Sequence, residues 1–248
     1  MLAQLKLSLD AEGLNLNKAS ALQGVMFENI DSNFADLMHT QNIHPYSQYL
    51  MKEGESYSWV VNTLNEESYN HIILPLLDAN FKEFTVKKGN VDVRIKSKEI
   101  RQVFEDELMD RFYNQEADRN IGIRIKTPMS FKQNGIYNIV PDARLIFQSL
   151  MNKYSAAHEH MSMIDFDTLD QITQNAMIVR YNLRSTGFAL EGTKIPGFIG
   201  ELSFKFRGGD TLARYARLLI EFAEFSGIGI KTAMGMGAVG IIGGEVQK

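Results

Sequence analysis

The first apolar residues of the chain alternate with polar ones. Leu5, Leu7 and Leu9 each follow a polar residue, and this period of two is typical of a strand with one buried face. Further along, apolar residues recur every three or four positions, as on one face of a single helix. These positions are Leu22, Met26, Ile30, Phe34 and Leu37. The chain therefore opens with a strand followed by a helix.

The rest of the first half continues with short strands and a second helix. We predict strands over residues 46–51 and 57–64, a helix over 66–78 and strand residues over 84–95. An acidic helical stretch, residues 105–118, is predicted to bridge to the second half.

The second half repeats this order. It starts with a strand in which Ile121, Ile123 and Ile125 share one face. Further elements are predicted as helix 142–158, strands 176–189 and 200–207, helix 211–226 and a last strand. Both halves then read β-α-β-β-α-β, the order of a ferredoxin-like domain. The prediction is an α+β fold of two such domains in tandem, residues 1–118 and 119–248, each an antiparallel sheet with helices on one face.

Composition restricts the class of protein. Of 248 residues, 44% are hydrophobic and 23% charged, as in soluble globular proteins, and no run approaches eighteen apolar residues. We therefore expect a cytoplasmic protein with no membrane partner. The absence of cysteine excludes disulfides, thiolate zinc sites and a cysteine nucleophile. No clustered carboxylates or histidines have the spacing of metal ligands, so we expect neither a metal nor a cofactor. The net charge of −4 does not itself indicate a nucleic-acid partner.

A glycine-rich segment near the end of the chain, residues 227–240, has five glycines in fourteen positions and is called the glycine loop here. It contains G-x-G-x-x-G at 235–240, but only eight residues follow, too few for a dinucleotide-binding βαβ unit. Ile230 precedes Lys231 and Thr232, so the loop is not a Walker A motif either. Two interpretations stay open. Gly227 ends a helix and the glycines permit a turn, or the loop exposes backbone N–H groups beside Lys231 and Thr232 that bind oxyanions.

The spacing of these glycines resembles a known family. The motif has the form G-h-G-x5-G-h-G, with h hydrophobic, and uses Gly227, Gly229, Gly235 and Gly237 after a basic amphipathic helix. It is similar to the motif of the CRISPR-associated endoribonucleases that cut precursor CRISPR RNA within its repeats, the sixth CRISPR-associated protein family. The stretches "IKTPMSF" (125–131) and "FADLMHTQNIHPYSQYL" (34–50) also resemble segments of that family.

The resemblance implies a reaction and a partner. The family cuts RNA without a metal: a ribose 2′-hydroxyl attacks the adjacent phosphate and leaves a cyclic phosphate and a 5′-hydroxyl. The partner would be CRISPR repeat RNA. His39 matches the family's catalytic histidine, and histidine suits proton transfer because its pKa lies near neutral pH. Leu37 belongs to the predicted apolar stripe of the helix, and His39 follows it by two residues. We therefore expect His39 to point away from the core. Without the resemblance, His39 would be interpreted as a partner of the helix dipole.

The second group of the reaction is left open by the sequence. Many members add a tyrosine on the first helix and a lysine soon after the histidine, but residues 18–39 contain no tyrosine. His44 and Lys52 are the candidates, and Tyr46 and Tyr49 are weaker ones. The other histidines, which we interpret as structural, are His71, His158 and His160.

RNA binding also requires cations on the surface. Alternation along residues 202–207 puts Lys205 and Arg207 opposite the apolar side chains, and Arg124 with Lys126 forms a similar pair. Charged residues on a sheet face are also ordinary solvated surface. The residues predicted to bind RNA are Gly227, Gly229, Lys231, Thr232, Gly235, Gly237, Lys205, Arg207, Arg124 and Lys126.

A second function from another class remains possible on the sequence alone. A noncatalytic subunit of a CRISPR effector complex, built from the same domains, would bind repeat RNA without cutting it, and His39 would then have no chemical role. Other effector subunits are possible partners, as is a second copy in a homodimer.

Overall fold

The computed structural model describes residues 1–116, 118–158 and 165–242. The strands of the first half are β1 (Leu2–Asp10), β2 (Tyr46–Glu53), β3 (Ser56–Thr63), β4 (Glu83–Val86) and β5 (Val91–Val103). They form one antiparallel sheet in the order β2-β3-β1-β5-β4. The predicted strand over 84–95 is therefore two strands, because Gly89 and Asn90, both with positive φ, turn the chain between them.

The helical segments of the first half follow β1 and β3. They are α1 (Ala21–Glu28), α2 (Ser32–Thr40), α3 (Glu66–Ser68), a π turn (Tyr69–Ile73) and α4 (Leu74–Leu77). The single helix predicted from Leu22 to Leu37 was wrong. The chain leaves the helical conformation after α1, and the Asp31 side chain caps α2 by accepting a hydrogen bond from the Phe34 N–H at 3.0 Å.

The second half forms its own sheet. Its helices are α6 (Ala143–Ala157), α7 (Phe166–Asn175) and α8 (Asp210–Ser226), and α5 (Glu105–Asn114), which precedes this half, packs against its core. Its strands are β6 (Asn120–Met129), β7 (Phe131–Gln133), β8 (Ile136–Asn138), β9 (Ala176–Leu190), β10 (Thr193–Phe206) and β11 (Val239–Ile242). The sheet order is β11-β6-β10-β9, and β7 pairs with β8 as a separate hairpin.

These orders confirm the predicted α+β fold with two ferredoxin-like units. In each sheet the first strand lies between the third and the last strand, as the β-α-β-β-α-β order requires. The first sheet has β4 as an additional edge strand. The proposed division of the chain between residues 118 and 119 places each sheet in one half.

The two halves share parts of their apolar cores. Leu5, Leu7 and Leu9 are buried as predicted, in the core of the first half. Phe188 and Ile195, from the long β9–β10 hairpin of the second half, belong to the same core. The hairpin therefore stabilises the contact between the two halves, because it buries apolar surface of both.

No helix within the described ranges is long and apolar enough to cross a membrane.

Candidate functional site

The glycine loop begins where α8 ends. Gly227 follows Ser226 with φ +63°, and its N–H donates to the carbonyl of Ala223 at 2.9 Å. This is the helix C-cap predicted as one alternative. Gly229, Gly235 and Gly237 also have positive φ. The loop thus uses glycine at four points where another residue would be strained.

Close packing is a second reason for glycine. A Cβ on Gly237 would overlap the carbonyl oxygen of Ile228, and one on Gly229 would overlap the carbonyl oxygen of Ser130. The Ile228 N–H donates to the Gly237 carbonyl at 2.8 Å, so the two glycine pairs face each other across the loop.

The loop is also bonded to the end of β6, the stretch that reads "IKTPMSF". Gly237 donates to the Pro128 carbonyl at 2.9 Å, Ile230 to the Ser130 carbonyl at 3.0 Å, and Ala238 to the Thr127 hydroxyl at 2.9 Å. Two of the three segments that carry the family resemblance therefore lie in direct contact.

These bonds limit the exposed N–H groups predicted beside Lys231 and Thr232 to a short run. Backbone N–H groups that donate inside the protein belong to Gly227, Ile228, Gly229, Ile230, Met234, Gly235, Met236, Gly237 and Ala238. Lys231, Thr232 and Ala233 have N–H groups with no hydrogen bond among the described residues. They begin a short 3₁₀ turn (Thr232–Met234), whose first N–H groups have no partner in the turn.

Burial separates the loop residues predicted to bind RNA. Gly227, Gly235 and Gly237 are buried, where they shape the loop. Gly229 is half-buried and Thr232 is 8% exposed. Lys231 is exposed. The polar surface of the loop is therefore concentrated at Lys231.

A cleft of about 470 Å³ lies beside Lys231, between the two halves of the chain. Its side chains come from the segment before β2, from β7, from α6 and from the loop. The polar ones are Asn42, His44, Lys132, Gln133, Gln148, Ser149, Asn152, Lys153, Lys231 and Thr232. Its volume is in the range of small-ligand sites.

His39 lies in the last turn of α2 and is exposed. Its ring meets Phe27 edge-on, with centroids 5.0 Å apart, and Phe27 in turn contacts Tyr46. The premise for its orientation was wrong, because Leu37 is 44% exposed and Met38 is the buried residue. His39 nevertheless points away from the core. It follows the buried Met38 and is turned by about 100° from it around the helix, and its side chain is exposed.

His44 is half-buried and lines the cleft. Its ring lies 5.3 Å from that of Tyr46, and its buried Nδ1 has no hydrogen-bond partner among the described residues. Burial lowers the pKa of His44 below its usual 6.5, and the nearby charges of His39 and Lys231 lower it further. The structure thus gathers His39, His44 and Lys231 at one place and favours a neutral His44 at pH 7.

Of the remaining candidates for the second group, Tyr46 lies beside His44 but is buried, and Lys52 and Tyr49 lie farther along β2. Lys52 lies six residues along β2 from Tyr46, roughly 20 Å away at 3.3 Å per residue. The Tyr46 hydroxyl accepts a hydrogen bond from Gln23 at 2.7 Å, and burial raises its pKa. Tyr49 lies on the opposite face of β2, with its hydroxyl 3.4 Å from the Lys126 Nζ.

The cations on the second sheet are spread out. Arg124 is paired with Glu201 at 2.8 Å, and Lys126 lies over the ring of Tyr49. Lys205 and Arg207 are exposed, as predicted. However, Lys205 on β10 lies opposite Asn120, at the far end of β6 in the strand register. That end is roughly 25 Å from Pro128 and the glycine loop.

Two other histidines, His71 and His158, do not line the cleft. His71 stacks on Phe34 with centroids 4.5 Å apart, and His158 stacks on Tyr154 at 4.3 Å. Both contacts fit the structural roles predicted for them. His160 lies outside the described residues.

Lys153 was missed by the sequence reasoning. It follows Ile146 and Leu150 on the buried stripe of α6, where a helix normally carries an apolar residue. That lysine on an apolar stripe was the available signal.

The sequence of the chain is similar to one family model and to several curated proteins. A family model described as CRISPR-associated endoribonuclease Cas6 matches residues 123–239. The curated CRISPR-associated endoribonuclease Cas6 of Streptococcus thermophilus is 34% identical over 221 residues, 89% of this chain and 90% of that protein. The one of Mycobacterium tuberculosis is 35% identical over 219 residues, 88% of this chain and 69% of that protein.

Solved structures agree on the fold. A Cas6 product complex superposes with a TM-score of 0.81 at 21% identity, covering 97% of this chain and 99% of that one. The Thermus thermophilus Cas6 superposes with a TM-score of 0.74 at 19% identity, covering 98% of both chains.

Proposed function

Because the chain belongs to the CRISPR-associated endoribonuclease Cas6 family, we propose that it cuts precursor CRISPR RNA within its repeats by attack of a ribose 2′-hydroxyl. The observation that carries this mechanism is that His44 and Lys231 line the cleft and that His39 lies near enough to His44 to lower its pKa. Two proton-transfer groups and one cation are sufficient for this reaction, and all three have side chains of the required chemistry.

Each group has a distinct role in the proposal. Neutral His44 removes the proton from the 2′-hydroxyl as its oxygen attacks phosphorus. His39 donates a proton to the departing 5′-oxygen as the P–O5′ bond breaks. The products are a 2′,3′-cyclic phosphate and a 5′-hydroxyl. Lys231 stabilises the negative charge on the phosphate oxygens. The lowered pKa of His44 supports the assignment of the base to it.

The described residues contain no group of three or more histidines or carboxylates positioned to hold a metal ion. This arrangement supports proton transfer by side chains as the source of catalysis, and metal independence is therefore part of the proposal.

RNA contacts are proposed at three distances from the reaction. Lys231, Thr232 and Gly229 are the loop contacts nearest the scissile phosphate, while Lys126 and Arg124 extend the basic surface along β6. Lys205 and Arg207 would bind the RNA farther away. The product and substrate-mimic complexes known for Cas6 proteins of this fold support repeat RNA as the partner. Effector subunits and a homodimer remain predictions.

The noncatalytic alternative is not favoured, because the curated relatives are endoribonucleases. Incubating purified protein with labelled repeat RNA in excess EDTA tests the proposal. We expect one cut at a fixed position. Cleavage that stops in EDTA and returns with magnesium would contradict the mechanism, and tight binding with no cleavage under either condition would favour the noncatalytic alternative.

A further inference from the structure

Lys153 has its ammonium group beneath the floor of the cleft. The residue is 8% exposed, and its Nζ donates to the Gly227 carbonyl at 3.0 Å and to the Ser226 carbonyl at 3.3 Å. These carbonyls end α8 and begin the glycine loop. Ser149, one turn earlier on α6, accepts a hydrogen bond from the Gly229 N–H at 2.9 Å. One face of α6 therefore holds the first three residues of the loop.

The charge of Lys153 is poorly compensated in this position. The carbonyls at the end of α8 favour a cation through the helix dipole. However, none of the described cleft-lining residues is Asp or Glu, and the other ionisable groups that line the cleft are all basic: Lys231 from the loop, His44 from the segment before β2 and Lys132 from β7. Burial lowers the pKa of Lys153 to about 7.

We infer that Lys153 is a positioning residue for repeat RNA: its ammonium group holds the start of the glycine loop, and its charge is stabilised by RNA phosphate bound in the cleft. This inference rests on the proposed function, because it assumes that RNA phosphate enters the cleft. An incoming phosphate supplies the negative charge that the cleft lining lacks. Binding of RNA and protonation of Lys153 then favour each other.

The coupling gives opposite pH effects on stability and on binding. Without RNA, Lys153 loses its proton near pH 7, whereas an unfolded lysine keeps it to about pH 10. The unfolded chain therefore binds more protons between these values, so this residue makes folding more favourable as pH rises. RNA binding favours the protonated form, so the affinity falls over the same range. If bound phosphate raises the pKa of Lys153 by about one unit, the affinity falls by up to about tenfold.

The test compares two variants of a His39→Ala protein, in which cutting is expected to be about 10²-fold slower, so that RNA binding is measured before cleavage. Lys153→Met removes the buried charge at similar volume, and Lys132→Met is the control, an exposed lysine of the same cleft. Between about pH 7 and pH 9, above the range in which His44 titrates, we expect the affinity of the parent for repeat RNA to fall about fivefold. Over the same range its melting temperature should rise relative to Lys153→Met. The control should keep both trends, and Lys153→Met should lose them.

A calorimetric measurement keeps the test independent of how well Lys153→Met folds. Binding at about pH 8 in two buffers of different ionisation enthalpy should reveal uptake of a fraction of a proton by the parent. RNA binding with pH-independent affinity and no proton uptake would overturn the inference about Lys153 alone. A parent protein that does not bind repeat RNA at all would overturn this inference together with the proposed function.

Discussion

At the scale of single residues, the account depends on different environments for two histidines. His39 is exposed at the end of α2, where it can reach RNA and solvent. His44 is half-buried, and burial, His39 and Lys231 all disfavour its charged form. Two histidines in such different environments can act as one acid and one base at the same pH.

The first prediction concerns His39. The His39→Ala variant should bind repeat RNA but cut it about 10²-fold more slowly in single-turnover assays. The substitution removes a proton-transfer group but leaves every RNA-binding cation in place. His71→Ala is the matched control. It removes a ring that stacks on Phe34, so its cleavage rate should be unchanged whatever it loses in melting temperature. A His39→Ala rate close to that of the parent would remove His39 from the mechanism.

The second prediction concerns the pH dependence caused by His44. A base must be deprotonated to act, and the pKa of His44 is lowered from 6.5, so on the acidic side the cleavage rate should decrease as pH falls through a value below 6.5. His44→Ala should be about 10²-fold slower and should lack this decrease. Single-turnover rates between about pH 5 and pH 8 measure both effects. An unchanged acidic decrease in His44→Ala would assign the base to another group.

At the scale of elements, the glycine loop is an architectural device that presents one lysine. Its buried glycines let the end of α8, the end of β6 and the 3₁₀ turn approach one another, and most of its N–H groups bond within the protein. Lys231 is left exposed at the cleft.

The third prediction follows from this packing. Gly237→Ala should lower the free energy of unfolding by about 2 kcal/mol or more, because its Cβ meets the Ile228 carbonyl and its φ is positive. Gly24→Ala in α1, where the added Cβ meets no atom within 4 Å, should be neutral or stabilising. Chemical denaturation measures both. A fully stable Gly237→Ala protein that fails to bind RNA would indicate instead that the glycine itself contacts the RNA.

The elements themselves were largely predictable from periodicity, but their junctions were not. Alternation identified β1 and β6 because one face of each strand is buried against helices. The four- and three-residue spacing ran through two helices, since the cap at Asp31 interrupts the helix without breaking the apolar pattern. Lys153 was hidden because periodicity identifies a buried position but not what a polar group there would bond to.

At the scale of the whole molecule, the cleft exists because the two halves share cores and bonds. The Ser47 hydroxyl donates to the Phe225 carbonyl at the end of α8, and the β9–β10 hairpin buries Phe188 in the first half. The segment before β2 is thereby held opposite α6 and the glycine loop. The sequence could match segments to a family, but the distance between His44 and Lys231 depends on this packing of the halves.

The fourth prediction separates cations by their place on the molecule. Lys231→Ala should weaken repeat binding and also slow cleavage of bound RNA, because Lys231 lies at the cleft. Lys205→Ala, on β10 opposite the far end of β6, should weaken repeat binding but leave the cleavage rate of bound RNA unchanged. In salt titrations each should reduce the slope of log affinity against log salt by about 1. Equal effects of the two variants on cleavage of bound RNA would argue against a special role for Lys231.

The chemical groups at the cut ends show directly whether the ribose 2′-hydroxyl is the nucleophile. Repeat RNA cut in excess EDTA should give an upstream fragment ending in a 2′,3′-cyclic phosphate and a downstream fragment starting with a 5′-hydroxyl, both identifiable by mass spectrometry. A repeat with a 2′-deoxyribose immediately upstream of the cut should remain intact, because the attacking hydroxyl is missing. A 5′-phosphate on the downstream fragment, or cleavage of the deoxy-substituted repeat at the same position, would contradict the account.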